Sequence, residues 1–105
     1  MFFELREYRI APGRREEFAA FMDDVIVPFQ RAKGMDVVAT FVSLEEEDLY
    51  VWIRRFESEE QRQALYDAVY GDARWIEEIR PAMKDMLIRE SIRVRRLAAT
   101  PKSPL

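Results

Sequence analysis

The spacing of apolar residues changes from that of a strand to that of a helix across a single Pro12-Gly13 turn, and this fixes how the chain begins. Phe2 to Ile10 is rich in β-formers, with Phe3 and Leu5 on one face and Glu4, Arg6 and Tyr8 on the other. Past the turn, Phe18, Phe21, Met22, Val25, Phe29 and Ala32 recur at helical spacing, which predicts a helix from Arg14 to Lys33. Glu16 and Glu17 in its first turn suit the helix dipole, and Gly34 supplies a stop. Pro28 lies inside this pattern without an amide to donate, so a kink or a register break is expected near Ile26.

The remaining elements follow the same logic. Asp36 to Leu44 and Leu49 to Phe56 read as a hairpin whose tip is the acidic run Glu45 to Asp48. Ser58-Glu59-Glu60-Gln61 has capping-box spacing and should start a second helix through Leu65, Ala68 and Val69. Gly71 interrupts it, and Asp72 can cap a further helical piece through Trp75, Ile76 and Ile79 before Pro81. Met83, Met86 and Leu87 suggest one more turn, and Ile92 to Leu97 alternates as a last strand. The order β-α-β-β-α-β is the ferredoxin-like arrangement: α+β, an antiparallel four-stranded sheet with helices on one face. One domain over residues 1–98 and an extended tail over 99–105, with Pro101 and Pro104, are expected.

Composition narrows the function. The 105 residues carry 17 basic and 20 acidic side chains, a net charge of -3 with no basic stripe, which argues against nucleic acid as a partner. No apolar run approaches membrane-spanning length and no leader pattern opens the sequence, so a cytoplasmic protein is expected. There is no cysteine and no histidine. That removes thiolate nucleophiles, disulfides, the Ser-His-Asp arrangement, the usual haem imidazole and most zinc geometries, so neither metal nor cofactor is expected.

Three segments carry a resemblance. Glu4-Leu5-Arg6 with Tyr8, then Pro12-Gly13 and Phe18, together with Phe56-Glu57-Ser58 leading to Arg62 and the ending Thr100 to Leu105, resemble the NIPSNAP family of small α+β proteins. The chain departs from that pattern at the acidic hairpin tip, at Trp52, where the family often carries a histidine, and at Lys102, where it usually carries an aromatic residue. Activity that relies on the strand-three histidine does not carry over. The resemblance implies pairing of two copies into a dimeric α/β barrel, in a superfamily that includes cofactor-independent oxygenases, cyclases, isomerases and haem proteins.

One constellation stands out as a candidate site. With the first and third strands taken as adjacent and parallel, Glu4, Arg6, Tyr8, Tyr50, Trp52 and Arg54 share one face inside the barrel. Arg6, Tyr8, Tyr50, Trp52 and Arg54 would bind a small aromatic or acidic molecule, with Tyr8 or Glu4 as base and Arg54 steadying an anion. Equally, Glu4 pairs with an arginine across strands while Tyr50 and Trp52 fill a dimer interface, which makes the protein a non-catalytic interaction module. If Leu5, Val51 and Ile53 lie under the helices, the bare face carries Tyr8, Phe41, Tyr50, Trp52 and Phe56 and calls for a second copy of the chain. Arg89, Arg93, Arg95 and Arg96 read as an anion site or the solvated side of an edge strand, and Tyr66, Tyr70 and Trp75 as a pocket roof or helix packing.

Overall fold

Each half of the molecule is a strand, a helical layer and a return strand, and the two halves interleave. The computed structural model describes residues 1–105. Strands β1 (Phe2–Ile10), β2 (Asp36–Val42), β3 (Leu49–Phe56) and β4 (Leu87–Leu97) form one sheet in the order β2-β3-β1-β4. Every neighbouring pair is antiparallel. The expected parallel relation of the first and third strands is thereby corrected: the β2–β3 hairpin reverses the chain before β3 docks beside β1. The shared face survives, because side chains alternate with a period of two whatever the strand direction.

The first helical layer is α1 (Arg15–Phe21), a π-helical turn Met22–Ile26, and α2 (Val27–Ala32). The second is α3 (Glu59–Tyr70), a π-helical turn Trp75–Ile79, and α4 (Arg80–Met83). Both π turns have one cause. Pro28 and Pro81 each occupy the first turn of the following helix, and the residue before each donates its amide five residues back, Val27 to the Met22 carbonyl and Arg80 to that of Trp75. The break expected at Ile26 is this π turn. Gly13, at φ 75°, makes the turn that feeds α1. The Ser58 hydroxyl accepts from the Gln61 amide, and the Gln61 side chain accepts from the Glu57 amide, which starts α3.

Two boundaries differ from expectation. β2 ends at Val42 because the Ser43 hydroxyl accepts from the amides of Glu45 and Glu46 and turns the chain. β4 begins at Leu87 rather than Ile92, since a bulge opposite Glu7 to Arg9 absorbs the irregular stretch. The acidic hairpin tip is tied down: Arg9 donates to Asp48 and Glu46, each at 2.9 Å, and Arg15 to the carbonyls of Ser43 and Glu46.

The core lies between the sheet and the helices, and here the expected faces are reversed. Tyr8, Tyr50, Trp52 and Phe56 are buried against Phe18, Met22, Ile26 and Ile79, under the helices. Only Phe41 of the five aromatics expected on the bare face is there, half exposed beside its register partner Val51. Leu5, Ala39, Val51 and Ile53 share that bare face.

Candidate functional site

Glu4 and Arg54 are register partners on β1 and β3, so the pleat sets their side chains together on the helix-covered face. Both are fully buried. Arg54 Nη2 donates to Glu4 Oε1 at 2.8 Å, and Arg62, from the first turn of α3, donates through Nε to Oε2 at 2.7 Å. Tyr66, one turn further along α3, contacts both carboxylate oxygens at 2.9 and 3.0 Å and accepts from Arg54 Nη2 at 2.7 Å. The other Arg54 nitrogen, Nη1, donates to Gln30 Oε1 at 3.0 Å and to the Tyr70 hydroxyl at 2.9 Å. Burial alone pushes the Glu4 carboxyl up, but the donors on Arg62 and Arg54 outweigh it and hold it below the ordinary value. A buried charge is tolerated when it is paired and hydrogen-bonded, and Glu4 is both.

Arg6 joins this cluster to an open space. Its Nη1 donates to the Tyr66 hydroxyl at 3.2 Å, and its Nε to the Tyr8 hydroxyl at 2.9 Å. Arg6 and Tyr8 line a cavity of about 760 Å³ between sheet and helices. Trp52 and Ile92 add to the sheet side, Met22, Ile26 and Gln30 come from the first helical layer, and Tyr70, Trp75 and Met83 from the second. Arg80, Lys84 and Arg89 also line it, which makes four cations with Arg6 and no carboxylate. Tyr8 accepts from Arg6, and its own hydroxyl proton has no acceptor within the chain. Burial raises the Tyr8 pKa more than the Arg6 charge lowers it, so the phenol keeps its proton as a hydrogen-bond donor.

The expected site residues therefore divide. Arg6, Tyr8 and Trp52 line the cavity. Glu4 and Arg54 belong to the ion cluster behind it, with the Arg54 guanidinium 4.7 Å from the centre of the Trp52 ring. Tyr50 packs edge-on against Phe18 at 5.2 Å, its buried hydroxyl without a partner. Burial, then the nearby Asp23 carboxylate, push its pKa up. The four arginines of β4 do not cluster: Arg89 lines the cavity, Arg96 pairs with Glu59 at 2.8 Å, and Arg93 and Arg95 lie on the bare face. Tyr70 and Trp75 line the cavity, while Tyr66 is committed to Glu4. No group of three or more acidic side chains is placed to hold a metal ion.

Sequence reasoning missed Gln30, Arg80 and Lys84. Gln30 follows Met22 and Ile26 at intervals of four, a polar residue on a buried helical face, which was the available signal. Arg80 and Lys84 have the same interval and flank Met83, so their common side was readable once the last helical turn was accepted.

The fold has counterparts among known proteins. A NIPSNAP family protein from Agrobacterium tumefaciens superposes with a TM-score of 0.87 at 24% identity, over 99% of this chain and 97% of that one. A NIPSNAP-like domain protein from Burkholderia xenovorans gives 0.87 at 21% identity, over 99% and 89%. An antibiotic biosynthesis monooxygenase shares the fold more distantly, with a TM-score of 0.68 at 16% identity over 96% and 100%. Comparison with curated proteins gives no match. The sequence profile of the NIPSNAP family matches residues 3–104, which takes in the opening strand, both helical layers and the Pro-containing tail, and the chain belongs to that family.

Proposed function

We propose that this protein binds a small organic anion with an apolar or aromatic body in the cavity between its sheet and helices. The observation that carries the reading is the lining: Arg6, Arg80, Lys84 and Arg89 without one acidic side chain, in a chain where acidic residues outnumber basic ones. Met22, Ile26, Trp52, Trp75 and Leu87 supply the apolar surface such a body needs, and the volume falls in the range of small-molecule sites.

The same residues favour binding and charge stabilisation over proton abstraction. Tyr8 keeps its proton, and Glu4 has both oxygens engaged behind the cavity, so neither serves as a base. Arg6 and the Tyr8 hydroxyl suit a carboxylate, or an enolate that arrives ionised. Oxygenase-type chemistry on a ligand that arrives ionised would draw on that stabilisation, as the shared fold with a monooxygenase suggests. A module packed solid by its own aromatics is disfavoured by the open volume beside Tyr8 and Trp52. A homodimer, and a location in the cytoplasm, complete the proposal.

Thermal melting with a panel of aromatic carboxylates and their uncharged amides tests it. An anion at a hundred times its Kd should stabilise by about 2.7 kcal/mol, a rise of roughly 10 °C or more for a domain this size. The amides should do little, and Arg6→Met should abolish the response. If no organic anion shifts the melting temperature, the reading fails.

A further inference from the structure

The cations of the cavity occupy two separate stations. Arg6 is deep, mostly buried, and fixed by Tyr8 and Tyr66. Arg80, Lys84 and Arg89 are exposed, on the last helical turn and the start of β4, and none of the three forms an ion pair within the chain, although carboxylates elsewhere on the surface capture Arg9, Arg14, Lys33, Arg55, Arg74 and Arg96. Asp85 and Glu90 follow Lys84 and Arg89 directly in sequence, yet neither lines the cavity nor pairs with these cations. Trp52, Trp75, Met83 and Leu87 line the same cavity and supply the apolar surface for a body that joins two charged groups.

We infer that the ligand is a dianion of bipolar shape, with one anionic group seated on Arg6 and Tyr8, an apolar or aromatic body, and a second anionic group held at the mouth by Arg80, Lys84 and Arg89. This rests on the cavity reading above and adds the second charge. A single carboxylate satisfies Arg6 and leaves the mouth cations in water. Three solvent-exposed cations lining one cavity act as a screened but additive attraction, so the second charge should bring about tenfold in affinity, with a marked salt dependence.

The test uses biphenyl monocarboxylate and biphenyl dicarboxylate as probes, titrated calorimetrically and by tryptophan fluorescence. Both tryptophans of the chain, Trp52 and Trp75, line the cavity, so occupancy is read directly. Wild type should bind the dicarboxylate about tenfold more tightly at low salt. The Arg80→Gln/Lys84→Gln/Arg89→Gln variant, altered only at exposed positions, should lose that preference and bind the two probes with equal affinity. If wild type shows no preference, or the variant retains it, the dianion inference is overturned while the cavity reading stands. If neither probe binds wild type but other organic anions raise its melting temperature, the bipolar shape is wrong; if no anion acts at all, both fall.

Discussion

Glu4 and Arg54 have the chemistry of a catalytic pair and the placement of a structural one. Three arginines and a tyrosine surround the Glu4 carboxylate, and each of its oxygens accepts a hydrogen bond from an arginine before a ligand arrives. Replacing Arg54 with Met should take from the buried Glu4 carboxylate its one fully buried cation, leave Gln30 and Tyr70 without their donor, and destabilise the fold by about 3 kcal/mol in urea unfolding. Glu4→Gln should cost less than that, and the double variant less than the sum, because each single change orphans the other's partner. The pH dependence has a definite sign. The folded Glu4 pKa lies below its unfolded value, so its contribution is fully present above the unfolded value and is lost as pH falls through the folded one. Glu4→Gln should therefore flatten the acid limb of a stability profile measured below about pH 4.5. Sequence alone left this pair between a ligand role and a cross-strand role, since register was needed to show that the two face one another.

The elements were legible wherever a local rule acts alone. The Ser58 cap, the β3 limits and the break near Ile26 all follow from side chains within a few residues of the feature. Ser58→Ala should cost about 1 kcal/mol, readable as a drop in the urea midpoint at unchanged slope. Gly71 closes α3 under a different constraint: a Cβ there would sit 2.6 Å from the Asp67 carbonyl oxygen, so Gly71→Ala should be the more damaging change although its φ of -89° is ordinary. What was not legible was which face of the sheet the helices cover. Alternation separates Leu5, Val51 and Ile53 from Glu4, Arg6, Tyr8, Tyr50, Trp52 and Arg54 without ambiguity. The aliphatic set looks like the interior and the charged set like the exterior. The assignment reverses because the charges satisfy one another across three elements, β1, β3 and α3, and aromatic bulk then fills the space beneath the helices. That compensation is a long-range property, invisible to any window of neighbouring residues.

At the scale of the molecule, the reversal changes what a second copy would meet. The bare face presents Leu5, Ala39, Phe41, Val51, Ile53 and Leu97, with Glu7, Arg55, Arg93 and Arg95 among them on the same face. Aliphatic side chains on one face of an antiparallel sheet, half exposed and contiguous, are better explained by a partner than by water. Two sheets packed through this face would leave both cavities on the outer, helix-covered sides, so assembly and ligand binding should be separable. Ile53 sits near the middle, opposite Leu5 on one side and Ala39 on the other. An isologous contact repeats every change twice, so Ile53→Lys would bury or expel two ammonium groups and should weaken a dimer by about a hundredfold or more. Sedimentation at low micromolar concentration should give a dimer for wild type and a monomer for Ile53→Lys. The variant should still respond to the anions that stabilise wild type, because position 53 and the cavity lie on opposite faces of the sheet. A wild-type chain that sediments as a monomer, with a melting temperature independent of its concentration, would remove the dimer and leave the aliphatic face without an explanation.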